Sequence, residues 1–294
     1  MSNRTIKIAA AGAAVVAGPA VAAADDSYPS LELAIEGGLT FSDYSDIAGG
    51  KVGNLFDTDI GGYGAISIGR AFDAGSPYDW RLTGTITQFQ DNIYSDFYDE
   101  GPYSSNGELG TGFGFQTIDF DIGRNAYVRD NVHTRIFGGI RGMHLRTKNE
   151  FDFSKVGGPP PESYQFGKVG ETEFLGAGPR IGGEFRAGDQ WGIVGGLSGS
   201  AIYGRRTFTI SSDYQGSYNG DSYGPYSYGG SNSEYDWITE LTASIGVSYK
   251  PNDSTEIVGG YRAQKLWNVV GDYGSSNLNN PTVHGPYLQV KTKF

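Results

Sequence analysis

Cysteine is absent from the 294 residues, methionine occurs twice and histidine three times. A disulfide scaffold and a disulfide-linked oligomer are therefore excluded. Long apolar runs are missing after the N-terminus. Nothing beyond residue 24 approaches the ~18 consecutive apolar residues of a membrane-spanning helix. Segments with the 3.6-residue period of an amphipathic helix are also missing. Positive charge is in the minority, with 22 Lys+Arg against 33 Asp+Glu and a net charge of −11. That balance lacks the basic patch a nucleic-acid partner needs.

Glycine and aromatics are abundant: 47 Gly, 20 Tyr and 16 Phe. Such a mixture fits many β-strands separated by turns. Residues 1–24 read as a secretory signal peptide. Arg4 and Lys7 form the positive start, an Ala/Val/Ile-rich stretch follows, and Ala22-Ala23-Ala24 precedes Asp25-Asp26 as an A-x-A cleavage site. Residues 25–294 are then one exported domain. The hydrophobic fraction of 38% is low for a helical membrane protein. A barrel hides its apolarity in alternate residues, so it does not exclude a membrane.

Ten stretches alternate with a period of two. They lie near 31–41, 61–72, 80–90, 113–124, 132–146, 172–186, 191–208, 236–249, 255–267 and 284–294. The last sets Leu288, Val290, Thr292 and Phe294 against Gln289, Lys291 and Lys293, and the sequence stops on an aromatic. The connections alternate in length. Long ones fall at 42–60, 91–111, 147–171, 209–235 and 268–282, and short ones at 73–79, 125–131, 187–190 and 250–254. This is the pattern of an all-β, transmembrane up-and-down antiparallel β-barrel of about ten strands, with long extracellular loops and short periplasmic turns. Trp80, Trp191 and Trp237 lie on the apolar faces at strand ends, as an interfacial aromatic belt would place them. A large β-sandwich or a lipocalin-like barrel is the soluble alternative, since alternation alone does not distinguish inside from outside.

On strands six and seven, the run from Phe174 to Glu184 contains Gly176-Ala177-Gly178-Pro179-Arg180-Ile181-Gly182. It resembles the G-x-G-P-R-x-G segment of the Legionella major outer-membrane protein family. Trp191-Gly192-Ile193 and the run from Gly195 to Gly204 resemble the strand that follows it in the family. Gly285-Pro286-Tyr287-Leu288 resembles its terminal strand. The likeness is best in the C-terminal third, and the loops do not share it. It implies a pore-forming barrel in the outer membrane of a Gram-negative bacterium, without defining a solute.

The polar faces predict which side chains enter the lumen: acidic Glu32, Glu36, Asp119, Asp121, Glu184, Glu240 and Glu256, and basic Arg81, Arg135, Arg141, Arg180, Arg206, Arg262, Lys291 and Lys293. Opposed charges in a narrow lumen either pair or set a transverse field for passing ions. Ten strands ~4.8 Å apart, tilted ~40°, give a backbone radius of roughly 10 Å. Any pore is therefore narrow, for ions or small solutes. Without Arg4 and Lys7 the net charge is −13, and the five long connections carry all of it. The acidic mouth comprises Asp43, Asp46, Asp57, Asp59, Asp91, Asp96, Asp99, Glu100 and Glu108. It would enrich cations near the opening. The second reading is a barrel with a closed lumen, whose loops, rich in Tyr214, Tyr218, Tyr223, Tyr226 and Tyr228, act as an adhesin.

No enzyme is expected. His133, His144 and His284 each stand alone, and only His144 falls near the extracellular mouth. Gly110-Thr111-Gly112-Phe113-Gly114 has no helix after it to make a phosphate loop. No metal-ligand spacing stands out, and no cofactor is implied. The expected partners are outer-membrane lipid and lipopolysaccharide, the barrel-assembly machinery, ions or small solutes, and further copies of the chain in a homo-oligomer. The terminal aromatic resembles the signal that assembly machinery reads in many bacterial barrels. Deleting Phe294 should lower the membrane-assembled fraction far more than any property of the assembled protein. The measurement is heat-modifiable mobility of outer-membrane fractions; unchanged assembly would refute the role of this residue.

Overall fold

The computed structural model describes residues 30–42, 59–89, 92–100, 103–129, 131–158, 161–271 and 278–294. The expected signal peptide lies outside these, as do Asp43, Asp46, Asp57 and Asp91. Among the described residues thirteen strands follow one another: β1 (Leu31–Ser42), β2 (Asp59–Ala71), β3 (Tyr78–Phe89), β4 (Asn92–Glu100), β5 (Tyr103–Arg129), β6 (Val132–Gly157), β7 (Glu162–Ala187), β8 (Trp191–Tyr218), β9 (Asp221–Asn252), β10 (Thr255–Trp267), β11 (Val270–Gly271), β12 (Leu278–Asn279) and β13 (Thr282–Lys293).

Eleven of them form one antiparallel sheet, and ten of these close into a ring. Within the ring each strand pairs with the next ring strand in chain order, so that β3 pairs with β5 and β10 with β13, and β13 returns to β1. The eleventh, β4, pairs with the first part of β5, from Asn92↔Thr111 to Glu100↔Tyr103. Closure is made by β1 and β13. Ile35 stands opposite Val290, Leu31 N donates to Phe294 O at 3.1 Å, and Phe294 N donates back to Leu31 O at 2.9 Å. A closed ring leaves no sheet edge, which is the condition for strands to cross hydrocarbon.

The outer surface is apolar across the middle of the ring. Ile136 and Ile181 are each 68% exposed, and Ile118, Ile140, Leu175, Ile193, Leu197 and Ile245 are also exposed. An apolar surface this continuous marks contact with lipid. Aromatic rungs bound it. Trp191 pairs with Tyr249 at the end of the short turns, and twelve residues away Tyr203 pairs with Trp237. Twelve residues at ~3.3 Å span about 40 Å along the strand, or about 30 Å along the barrel axis at ~40° tilt. That equals the thickness of a bilayer's hydrocarbon core.

Three of the connections expected as long loops are largely strand. Parts of 91–111, 147–171 and 209–235 continue β4 to β9 past the upper aromatic rung. Beyond Tyr203, β8 runs fifteen more residues to Tyr218, about 50 Å of extended chain. These segments are rich in Tyr, Thr, Ser and Phe, residues that suit a sheet surface. They lie in water on both faces, so they carry no run of alternate apolar residues for a period-two search to find. The β8–β9 hairpin turns on Asn219-Gly220, at φ 52° and 88°. This is the Asn-Gly pair that a tight two-residue turn with positive φ demands.

Inside the ring the strands approach closely. A Cβ on Gly178 would lie 1.9 Å from the carbonyl oxygen of Ala201. The Gly-x-Gly-Pro-Arg segment therefore places backbone against backbone where β7 meets β8, a position open only to glycine.

Candidate functional site: the barrel interior and the projecting sheet

The interior is layered along the barrel axis. Towards the long-loop end lies an apolar layer that period-two reading of the polar faces does not reveal. Phe89 (β3), Phe113 (β5), Leu145 (β6), Phe174 (β7), Ile202 (β8), Ile238 (β9), Leu266 (β10) and Val283 (β13) belong to one contiguous cluster, each at 3% exposure or less. Eight of the ten strands in the ring thus send an apolar side chain to the same level. Phe89 and Phe113 stack at 5.5 Å, and Phe115 tilts against Phe113 at 5.7 Å. Each of these side chains is buried among the others. The signal was present in Phe113-Gly114-Phe115, on the inward parity of Thr117, Asp119 and Asp121.

Charged groups cap this layer on both sides. Above it, the fully buried Arg206 reaches Asp236 at 2.6 Å and Glu234 at 3.6 Å, and donates to the Asn268 carbonyl. Below it, Arg141 holds Asp119 in a bidentate pair at 2.6 Å and also donates to Glu240. Arg180 donates to Asp121 and lies 3.7 Å from Asp119. Thr242 and Ser200 donate to Glu240 at 2.6 and 3.3 Å. Buried ions need such partners, because removing them from water costs several kcal/mol each.

Nearer the short-turn end, Arg81 holds Glu184 at 2.9 Å and Glu32 at 3.7 Å. Arg262 sits 2.8 Å from Glu36, which also accepts from Gln289 at 2.7 Å. Arg135 pairs with Asp79 and Arg186 with Glu256, both at 2.6 Å, and Lys291 lies 4.0 Å from Glu256. A cavity of about 150 Å³ lies among Arg81, Asp119, Arg141, Arg180, Glu184 and Glu240. A second, of about 950 Å³, opens at the short-turn end.

Of the fifteen side chains expected in the lumen, the fourteen other than Lys293 sit on the inner face, each with an ion-pair partner. Lys293 also lines the larger cavity. Sequence reading missed Asp79 and Arg186. Both fall next to turns, yet Asp79 is in phase with Arg81 and Arg186 with Glu184. Of the acidic mouth, Glu108 is exposed on β5, whereas Asp59, Asp96, Asp99 and Glu100 are described through their backbone on β2 and β4. His144 lies 2.8 Å from Glu173 and lines neither cavity, and His284 is 2.6 Å from Tyr261. The Gly110–Gly114 segment is part of β5.

The projecting sheet carries a ladder of rings on the face that continues the barrel interior. Phe153 meets Tyr164 at 5.8 Å, Tyr164 meets Tyr214 at 5.0 Å, and Tyr214 meets Tyr223 and Tyr226 at 5.5 and 6.5 Å. Such pairs hold a sheet together at roughly 0.5–1.5 kcal/mol each. Tyr226 and Tyr228 remain 64% and 69% exposed. Lys155 donates to Glu162 at 2.5 Å and covers the Tyr103 ring at 4.7 Å; the bond to Glu162 raises the Lys155 pKa.

Removing one member of the central belt should cost more than removing all of it. Arg141→Ala leaves Asp119 and Glu240 facing a gap and should lose about 3–5 kcal/mol. R141A/D119N/E240Q should recover part of that loss. Urea midpoints followed by tryptophan fluorescence decide this; a triple variant weaker than the single one would refute the pairing argument.

A family model described as "Legionella pneumophila major outer membrane protein precursor" matches residues 74–294. No curated protein sequence matches the chain. Among solved structures, the outer membrane protease OmpT from Escherichia coli aligns at 9% identity over 90% of this chain and 97% of its own, with a TM-score of 0.49. Neisserial surface protein A aligns at 9% identity over 90% and 97% of the two chains, TM-score 0.31. A major outer membrane protein from Thermus thermophilus aligns at 14% over 90% and 99%, TM-score 0.33. The family match covers most of the chain, including eight of the ten strands of the ring, all but β1 and β2. The chain therefore belongs to the Legionella major outer membrane protein family and is an outer-membrane β-barrel protein.

Proposed function

We propose that this barrel is closed at rest and works at the cell surface through its projecting sheet. The observation that carries the reading is the apolar layer, to which eight strands contribute and which water does not reach. An ion crossing it would shed its hydration among Phe, Leu and Ile side chains, without a carbonyl or carboxylate to replace that hydration. The sheet above supplies a surface suited to contacts. Tyrosine offers large amphipathic area at little conformational cost, and Tyr226 and Tyr228 present most of theirs to water.

The narrow pore is retained as a second, gated reading, favoured by one feature. The cavity of about 950 Å³ already enters the barrel from the periplasmic side, so the charged belt and the apolar layer are what separate it from the outside. The acidic outer segments would then attract cations to the mouth.

Planar-bilayer recording tests both. Wild-type insertions should be electrically silent, and F113A/F174A should give discrete conductance steps, cation-preferring under a KCl gradient. Steady open steps from the wild type would overturn the closed reading. Steps with anion preference would overturn the role of the acidic mouth.

For the surface role, a Gram-negative host displaying the protein should adhere to host-cell monolayers. Y226S/Y228S should lose that adherence at unchanged surface display. Equal adherence of the two would remove the aromatic face from the proposal.

A further inference from the structure

The periplasmic cavity has a charge surplus of the opposite sign to that of the chain. The chain carries −11, yet the carboxylates inside the cavity are already engaged by arginines. Glu184 and Glu32 are held by Arg81, Glu36 by Arg262, Asp79 by Arg135, and Glu256 by Arg186. Three lysines remain on the same wall, Lys250, Lys291 and Lys293. Lys291 stands 4.0 Å from the Glu256 already bound by Arg186. Lys250 and Lys293 have no carboxylate within 4.0 Å among the described residues. Asp253, exposed on the β9–β10 turn, is the other acid at the rim.

The backbone fixes this grouping. Lys291 is opposite Glu256 and Lys293 opposite Glu32 in the β13 pairings, and Lys293 N donates to Ser254 O at 2.8 Å. Lys250 N donates to Gln190 O at 2.8 Å, which anchors β9 to the turn after Arg186. Below the lower aromatic rung, the lysines feel one another. The Lys250 pKa is lowered by burial and then by Arg186, against a raising effect of Glu256, with smaller lowering by Lys293 and Lys291. The His133 pKa is lowered by burial, and then by Lys250, Arg186 and Lys293. Like charges held together in a concave wall create a potential that a multiply charged anion relieves. At about 950 Å³, the cavity has the size of a small-molecule site.

We propose that the periplasmic mouth of the barrel is a binding site for a small, multiply charged oxyanion, phosphate or carboxylate, held by Lys250, Lys291 and Lys293. The ligand enters from the periplasm and meets the lysines first. The arginines deeper in the cavity stay with their carboxylates. The site is independent of whether the apolar layer opens, so its failure and the failure of the closed-barrel reading are distinguishable.

Isothermal titration of the folded barrel in zwitterionic detergent with pyrophosphate, and separately with citrate, tests the proposal. Saturable binding of at least one is expected. K250Q/K293Q should bind at least tenfold more weakly, K250R/K293R near the wild-type level, and K155Q, on the projecting sheet, as the wild type does. Heat-modifiable mobility confirms that each variant is folded. Absence of saturable binding by the folded wild type, or equal binding by K250Q/K293Q, would overturn the site. Repeating the titration in phosphatidylcholine nanodiscs, with and without phosphatidylglycerol, separates two sources of the anion. Competition by phosphatidylglycerol that disappears in K250Q/K293Q assigns the site to a lipid headgroup phosphate. Undiminished pyrophosphate binding assigns it to a soluble anion. Both support the same oxyanion chemistry.

Discussion

Ring closure is the constraint on which the rest of the structure depends. In hydrocarbon a backbone N–H or C=O has no water to turn to, and each unpaired one costs several kcal/mol. A sheet of ten strands satisfies them only when the first strand finds the last. Here β1 and β13 pair along most of their length, and the reciprocal bonds between Leu31 and Phe294 finish the seam at its periplasmic end. The terminal residue is thus part of the closing ladder, and its ring lies at the lipid boundary, half exposed. An even number of strands brings both ends of the ladder to the same side.

Closure with ten strands then dictates the interior. A radius of roughly 10 Å leaves a space that Arg, Glu and Phe side chains fill. Two solutions are used at different depths. In the middle, charges are buried and must be paired. Arg141 is the hub because its planar guanidinium serves Asp119 on one side and Glu240 on the other. Nearer the outside, apolar side chains pack together inside the ring, and burying each contributes roughly 1.5–3 kcal/mol. Arg206 lies over that layer and brings its own partner, Asp236, from the neighbouring strand. Charge and hydrophobe therefore alternate along the axis.

Legibility in the sequence follows the solvent. Where one face of a strand meets lipid, the other must be polar or small, and period two stands out. Ile118, Phe120 and Ile122 against Thr117, Asp119 and Asp121 identify β5 and its inward face without a structure. Where a strand leaves the bilayer, both faces meet water and the contrast vanishes. That is why residues 209–235 of β8 and β9 read as loop, although Asn219-Gly220 is a hairpin signal. The apolar layer was hidden for a related reason: its members occupy inward positions, and an alternation rule assigns apolar residues outward. Asp79 and Arg186 were lost to adjacent turns, although their parity was right. Ion-pair partners across the bore, such as Arg81 with Glu184, are not legible at all. They depend on which strands face each other in the closed ring.

The two ends of the barrel also differ in electrostatics, and the difference has a physical origin in the same ring. On the outer side the chain spends long hairpins, and acidic residues can be spread over them with space to hydrate. On the periplasmic side the turns are short, so charges at strand ends are held on the circumference of the bore. Lys250, Lys291 and Lys293 arise from β9 and β13, which are separated only by β10, and Arg186 reaches across to the Glu256 of β10. With the available carboxylates bound by arginines, the lysines cannot disperse as they would on a loop. A narrow barrel with short turns therefore concentrates these lysines at one mouth.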